Sequence, residues 1–131
     1  MNGGGSVKKS RVVLVVEDDA AVMSFLDELL SGNGYQVLKA RNGVDAMVAL
    51  TAPEAELPGV VLLDINLPLE SGISVLSFLR KVMLSGLPVV VLTGSAGHEE
   101  EEAVRELGVS CYLRKPAGSS QVLSALERAL G

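Results

Sequence analysis

The sequence predicts an α/β domain, a doubly wound (βα)5 sandwich of three layers with a five-stranded parallel sheet in the order 2-1-3-4-5. Three observations support this fold. Short apolar runs rich in valine alternate five times with segments whose apolar residues recur at helical spacing. The connections between them are short and contain glycine or proline. Aromatic residues make up only 3% of the chain, so valine, leucine, alanine and methionine must form the core.

Five segments are predicted to form the strands. The runs 12–16, 60–63 and 89–92 are wholly apolar, whereas 35–40 and 109–113 also contain polar residues. Edge strands tolerate polar side chains, and a lysine on such a strand discourages unwanted pairing. Two edge and three central strands fit the order 2-1-3-4-5 with right-handed crossovers. In that order the first and third strands are neighbours at the point where the winding direction reverses.

Five helices are predicted from the spacing of apolar side chains, one after each strand. The residues that define this spacing are Val22, Phe25, Leu26, Leu29 and Leu30 in the first; Val44, Met47 and Val48 in the second; Leu76, Leu79 and Met83 in the third; Val104 and Leu107 in the fourth; and Val122, Leu123, Leu126 and Leu130 in the fifth. Asn42 is predicted to cap the second helix, since asparagine is a favoured N-cap. Gly86 and Pro88 are predicted to close the third helix.

Length and composition limit the possible functions. A chain of 131 residues, 48% hydrophobic and 21% charged, predicts one domain at residues 11–131 after a flexible basic tail at 1–10. The net charge of −5 argues against a direct nucleic-acid partner. No apolar run is long enough to span a membrane, and residues 1–10 lack the core of a signal peptide, so we expect a cytoplasmic protein without a membrane partner. The single cysteine, Cys111, excludes an internal disulfide.

Chemically active side chains follow four of the predicted strands. They are Glu17 and Asp18 after the first strand, Asp64 after the third, Thr93 after the fourth and Lys115 after the fifth. Because the carboxyl ends of parallel strands meet at one edge of a sheet, we expect these side chains to lie close together. Three crowded carboxylates repel one another, and an all-oxygen donor set with room for water suits Mg²⁺ better than Ca²⁺. Lys115 adds a point charge suited to a phosphate or a carboxylate.

Each of these side chains also has a purely structural interpretation. Asp64 could cap the next helix, and the acids at 17–19 could simply favour the dipole of the first helix. Thr93 could be a structural residue at a strand end, and Lys115 a solvated surface lysine. The placement of all of them at the same end of one sheet favours the functional interpretation.

Four motifs resemble those of the receiver domain of bacterial response regulators, the CheY-like family of two-component signalling with a flavodoxin-like fold. They are Val-Val-Glu-Asp-Asp at 15–19, Leu-Leu-Asp-Ile-Asn-Leu-Pro at 62–68, Leu-Thr-Gly at 92–94 and Tyr-Leu-Arg-Lys-Pro at 112–116. The resemblance runs from about Arg11 to Leu130. The strand order inferred above is also the order of this family.

The resemblance implies a role for each matched residue. Asp64 would accept a phosphoryl group from the phosphohistidine of a histidine kinase or a phosphotransfer protein. Asp18, Asp64 and the backbone carbonyl of Asn66 would bind Mg²⁺, and Glu17 would act through metal-bound water. Lys115 would hold a phosphoryl oxygen.

The resemblance also implies a conformational switch. Thr93 would turn its hydroxyl toward the phosphate, and Tyr112 occupies the aromatic switch position. Their movement would alter the face formed by the fourth helix, fifth strand and fifth helix (α4-β5-α5), where a downstream protein target or effector domain would bind. The chain is thus expected to be a signalling switch that catalyses only its own phosphotransfer and autodephosphorylation, not an enzyme. Simple packing of Tyr112, and a solvated rather than partner-selecting acidic run at Glu99–Glu102, remain alternatives. Pro116 matches a frequent cis-proline position, and Ser71 stands where many relatives have aspartate.

Three other functions use similar residues. A haloacid-dehalogenase-type phosphatase, an Mg²⁺-dependent enzyme with an aspartate nucleophile, places that residue after its first strand with an acid two positions later. Here Asp64 follows the third strand, Asn66 stands at that offset, and no room remains for a cap domain. A flavodoxin-like cofactor binder conflicts with Glu17 and Asp18, which would repel a cofactor phosphate. A degenerate receiver that acts as an unphosphorylated scaffold would not need the complete set of site residues.

Overall fold

The computed structural model describes residues 10–53, 57–94 and 97–131, so most of the predicted N-terminal tail lies outside it. Five parallel strands form one sheet in the order β2-β1-β3-β4-β5, which confirms the predicted topology. The strands are β1 (Val12–Val16), β2 (Gln36–Ala40), β3 (Val60–Leu63), β4 (Val89–Thr93) and β5 (Cys111–Arg114). β1 pairs with β3 in a register that sets Val16 opposite Leu63, so the residues that follow these two strands emerge side by side.

Five helices cover the two faces of the sheet and make the three predicted layers. They are α1 (Ala20–Ser31), α2 (Gly43–Leu50), α3 (Gly72–Ser77), α4 (His98–Leu107) and α5 (Ser119–Leu130). Side chains alternate along each strand, so Val13 and Val15 pack with α1 and α5, whereas Leu14 and Val16 pack with α2, α3 and α4. Within the described ranges, no helix is both long and apolar enough to cross a bilayer.

Burial separates the central strands from the edges. β3 and β4 are wholly buried, and β1 is buried except for its first residue. β2 and β5 are largely half-buried or exposed, which confirms their assignment as edge strands. At the β2 edge, Lys39 pairs with Asp27 of α1 at 2.7 Å. The three apolar strands therefore form the buried centre of the sheet, and the predicted carboxylates directly follow two of them, β1 and β3.

Two helices bury residues that the apolar spacing did not indicate. α1 buries Met23, whereas Phe25 is 44% exposed. α2 buries Ala46 and leaves Val44 and Val48 in solvent. The small side chain of Ala46 lets α2 approach the sheet closely, and hydrophobicity alone does not reveal such a contact. The predicted cap is confirmed, because Asn42 Oδ1 accepts a hydrogen bond from the backbone N–H of Asp45 at 2.8 Å.

The helix after β3 ends earlier than predicted. α3 continues into a π-helical turn over Phe78–Val82, in which the carbonyl of Phe78 accepts a hydrogen bond from the backbone N–H of Met83. The helical segment is thus complete before the glycine and proline at positions 86 and 88, which lie in an irregular connection to β4. π-Helical turns are rare, and the local spacing of apolar residues does not predict one.

Candidate functional site

Three carboxylates lie together at the carboxyl ends of β1 and β3. Glu17 and Asp18 directly follow β1, and Asp64 directly follows β3. One oxygen from each of them lies within 4.8 Å of one oxygen from each of the others. Glu17 is 2% and Asp64 5% exposed, whereas Asp18 is open to solvent. The two neighbouring strand ends thus bring together the three acids at an edge that solvent can reach.

Lys115 provides a positive charge at the same site. It directly follows β5, and its Nζ lies 2.7 Å from Oε1 of Glu17 and 3.1 Å from Oδ2 of Asp64. The Lys115 side chain is 22% exposed, and its ammonium group bridges the two buried carboxylates. The peptide bond between Lys115 and Pro116 is cis, as the family resemblance implied.

Burial and ion pairing act against each other in this site. Burial raises the pKa of Glu17, and hydrogen bonds from Lys115 and from the backbone N–H of Asp19 offset only part of that effect. Burial would lower the pKa of Lys115, but the hydrogen bonds to Glu17 and Asp64 outweigh it and the pKa is raised. One ammonium group balances only one of three carboxylates. The excess negative charge and the oxygen-only donor set fit a hard divalent cation.

Backbone hydrogen bonds fix the orientation of both buried acids. Asp64 Oδ1 accepts a hydrogen bond from the backbone N–H of Asn66 at 3.0 Å, and the backbone N–H of Asp64 donates to the carbonyl of Val16. Glu17 Oε2 accepts from the backbone N–H of Asp19 at 3.1 Å. Each carboxylate is therefore held from its own loop by one oxygen and contacts Lys115 through the other.

The third acid of the 17–19 run has a different task. Asp19 is the N-cap of α1, and its Oδ1 accepts hydrogen bonds from the backbone N–H groups of Ala21 and Val22 at 2.9 and 3.0 Å. The helix-terminus interpretation of the acidic run thus applies to Asp19, while the two acids before it face the site. The acidic run at 17–19 therefore contains both a helix cap and two acids of the candidate site.

Thr93 ends β4 and is fully buried. Its Oγ1 accepts a hydrogen bond from Nδ2 of Asn66 at 3.3 Å, which ties the loop after Asp64 to the end of β4. The sequence assigned only a backbone carbonyl to Asn66, so this side-chain contact was missed. The two residues are 27 positions apart, and no local signal could have paired them.

Tyr112 lies on β5 close to two arginines. Its hydroxyl oxygen is buried and has no hydrogen-bond partner among the described residues. The guanidinium carbons of Arg105 and Arg114 lie 5.5 and 5.7 Å from the ring centroid. Glu101 contacts both arginines, at 3.0 and 2.6 Å, so one member of the acidic run joins α4 to β5 instead of being merely solvated. Burial, followed by the charge of Glu101, raises the pKa of Tyr112.

An apolar groove of about 580 Å³ opens beside the site. It lies between α1 and the segment that follows β5, and Phe25, Lys115 and Pro116 contribute to its walls. The exposure of Phe25 is explained by this position, because its ring faces the groove and not the core. The sequence did not indicate the groove, because Phe25 fits the apolar spacing of the first helix.

The fold and the site together define a class of protein: doubly wound α/β domains with an acidic, lysine-containing site at the point where the strand order reverses. A family model described as the response regulator receiver domain matches residues 13–127, and the chain belongs to this family. It is therefore a receiver domain of the two-component response regulators, which are signalling switches that interact with kinases and downstream targets.

Individual relatives agree with this assignment over nearly the whole chain. The polar-differentiation response regulator DivK of Brucella anthropi is 31% identical over 120 residues, which are 91% of this chain and 95% of DivK. A CheY-like receiver domain protein from Methanospirillum hungatei is 26% identical, with a TM-score of 0.84 over 92% of this chain and 94% of that one. The Mn²⁺-bound form of response regulator Rcp1 is 32% identical, with a TM-score of 0.74 over 88% of each chain.

Proposed function

We propose that Asp64 accepts a phosphoryl group from the phosphohistidine of a histidine kinase or a phosphotransfer protein, and that this modification controls binding of a downstream protein target. The observation that supports this proposal best is the contact of 3.1 Å between Lys115 Nζ and a carboxylate oxygen of the buried Asp64, beside two further acids. A degenerate receiver that serves as a scaffold would have no use for this complete set of charged groups.

The chemistry of the transfer follows from these contacts. A carboxylate oxygen of Asp64 attacks the phosphorus, the bond between phosphorus and the imidazole nitrogen breaks, and the imidazole leaves with the electron pair. Lys115 donates a hydrogen bond to a phosphoryl oxygen and opposes its charge. Such transfers depend mainly on positioning and on charge neutralisation. The residues of the site need only hold the acceptor in place and balance its charge.

The donor set supports a role for Mg²⁺. Asp18, Asp64 and the backbone carbonyl of Asn66 would hold the ion, with Glu17 acting through water. When bound, Mg²⁺ would offset negative charge on the transferring group. The Mn²⁺-bound form of Rcp1 is an example of a relative that holds a divalent cation.

The apolar groove beside Lys115 is the surface that we assign to the phosphoryl donor. The donor must bring its phosphohistidine to Asp64, and Lys115 belongs both to the groove wall and to the contact with Asp64. The exposed ring of Phe25 offers apolar area to a partner at this position. A donor that docks there would deliver its phosphoryl group on the side from which Lys115 approaches.

The proposed switch uses Thr93, at the end of β4, and Tyr112, on the neighbouring strand β5. A phosphoryl group on Asp64 carries about two negative charges in place of the single charge of the carboxylate, and this favours hydrogen-bond donors turned toward it. Thr93 would exchange its contact with Asn66 for the phosphate. Tyr112, whose hydroxyl has no partner among the described residues, would then move and alter the surface of α4, β5 and α5. Phosphorylation shifts the two conformations only by its different interaction with each of them.

Labelling with an acyl phosphate tests the acceptor. In the presence of Mg²⁺, acetyl phosphate should add one phosphoryl group to the wild-type protein, as measured by intact-mass spectrometry. Asp64→Asn should abolish the addition, whereas Asp45→Asn, at an exposed position on α2, should leave it unchanged. Labelling of Asp64→Asn at the wild-type rate would refute the assignment. An unlabelled wild type would favour the scaffold, and repeated turnover of a phosphomonoester would favour the phosphatase.

A further inference from the structure

Gly72, the first residue of α3, lies directly against the peptide group that follows Asp64. A Cβ atom added to Gly72 would overlap the backbone carbonyl oxygen of Asp64 and lie 2.5 Å from Cα of Ile65. Side-chain carbons do not approach backbone atoms this closely, so the peptide or the helix would have to move. The backbone N–H of Gly72 also donates to the carbonyl of Ile65 at 2.8 Å. The absence of a side chain at this position thus sets where the acceptor's backbone lies.

A second glycine holds the other end of the same loop. Gly43, the first residue of α2, lies against Glu70, and a Cβ atom there would overlap the carbonyl oxygen of Glu70. Both glycines are buried. The loop from Asp64 to Ser71 therefore contacts the first residues of two helices. One contact is at the Asp64–Ile65 peptide, and the other is at Glu70, six residues after Asp64.

We infer that Gly72 is a positioning residue for phosphoryl transfer to Asp64, an inference that rests on the function proposed above. Asp64 Oδ1 is oriented by the backbone N–H of Asn66, and Oδ2 by Lys115. A shift of the Asp64–Ile65 peptide carries the carboxylate away from both groups, and a misplacement of about 1 Å can cost a reaction 100-fold. Gly43 contacts the loop too far from the carboxylate to have this effect.

Three alanine variants separate positioning from a general loss of stability. Gly72→Ala should slow labelling by acetyl phosphate by about 100-fold. Gly43→Ala introduces the same kind of clash into the same loop, yet its rate should stay within about threefold of the wild type. Gly86→Ala, where no atom lies within 4 Å of an added Cβ, controls for the substitution itself. Urea unfolding of each variant measures the accompanying loss of stability.

The dependence of rate on donor concentration gives a second readout. Gly72 does not contact the groups that would bind the donor, so Gly72→Ala should lower the maximal rate and leave the half-saturating concentration within about twofold. Equal labelling rates for folded Gly72→Ala and Gly43→Ala would overturn the inference, while a wild type that is not labelled would instead overturn the proposed function.

Normalising the rate to the folded protein covers the case in which Gly72→Ala is largely unfolded. The measured labelling rate is divided by the folded fraction from the urea curve, and trimethylamine N-oxide, which favours the folded state, raises that fraction where it is small. The corrected maximal rate should still lie about 100-fold below that of the wild type. A corrected rate equal to that of the wild type would overturn the inference as well.

Discussion

Replacing Lys115 with methionine tests the charge balance of the site most directly. Methionine keeps an unbranched apolar side chain of similar length but removes the ammonium group that contacts both Glu17 and Asp64. Two buried carboxylates then face each other beside the exposed Asp18. The protein without metal should therefore become less stable at neutral pH.

The distances give the size of the effect. The ligand oxygens of Glu17 and Asp64 are at most 4.8 Å apart, and at an effective dielectric constant of about 20 two unit charges at about 4.8 Å repel by about 3.5 kcal/mol. Removing one partner from a buried ion pair costs roughly 3–5 kcal/mol. The Lys115 side chain is 22% exposed, so water and proton uptake recover part of this cost. We expect Lys115→Met to lower the free energy of unfolding by about 2–3 kcal/mol at neutral pH.

The pH dependence has a definite sign. The hydrogen bond from Lys115 lowers the pKa of Glu17, so its loss raises a pKa that burial already holds above the ordinary value. A carboxyl group with a raised folded-state pKa stabilises the fold when protonated, and this stabilisation is lost as the pH rises through that pKa. The deficit of Lys115→Met relative to wild type should therefore be full at neutral pH and shrink as the pH falls through the new pKa of Glu17.

Urea unfolding followed by circular dichroism, in the presence of a chelator, measures this loss. Lys39→Met is the matched control, because Lys39 pairs with Asp27 on the surface with 45% of its side chain exposed, and its removal should cost less than about 1 kcal/mol. Glu17→Gln combined with Lys115→Met should recover most of the loss. A loss below about 0.5 kcal/mol, or no recovery in the double variant, would show that Lys115 does not balance the carboxylates.

Two further predictions concern metal binding and Tyr112. Asp18→Ala should weaken Mg²⁺ binding by at least about tenfold, or about 1.4 kcal/mol, measured by calorimetric titration, while Asp45→Asn leaves it unchanged. In a Tyr35→Phe background, which leaves Tyr112 as the sole tyrosine of the chain, absorbance titration should place the pKa of Tyr112 above the ordinary tyrosine value. Glu101→Gln should lower that pKa, because the charge of Glu101 raises it.

The contrary results are equally specific. Wild-type affinity for Mg²⁺ in Asp18→Ala would exclude Asp18 as a ligand. An unchanged titration midpoint in Glu101→Gln would mean that the two arginines, and not Glu101, set the potential at the Tyr112 ring. Because the pKa is raised on folding, the stability gained from burying the neutral hydroxyl is lost as the pH rises through it. Glu101→Gln brings the folded-state pKa closer to the unfolded value, so this variant should lose less stability than the wild type between neutral and alkaline pH.

The sheet was predictable because its determinants are local. Wholly apolar runs identify β1, β3 and β4 as central, and the polar residues in the other two runs identify the edges. The buried faces of the helices could not be predicted, because they depend on how closely each helix approaches the sheet. Ala46 is buried where Val44 and Val48 are not, which reflects close packing and not hydrophobicity.

The candidate site also contains some features that the sequence predicts and others that it does not. Glu17, Asp18 and Asp64 could be placed at one edge because each directly follows a strand, and strand order decides which ends are adjacent. The contacts of Asn66 with Thr93, and of Glu101 with Arg114, depend on side-chain directions between different elements of the fold. No periodic pattern in the sequence predicts these contacts.

Both ends of the described chain lie near the amino-terminal ends of the strands, at the opposite end of the sheet from Asp64. The carbonyl of Ser10 lies against Gly59, just before β3 begins, and α5 leads away from Lys115 to Gly131. A strand of five residues spans roughly 16 Å, so Ser10 lies about that far from the acceptor, and the 12 residues of α5 place Gly131 a similar distance away. A second domain joined after Gly131 would therefore leave the entrance for the phosphoryl donor open.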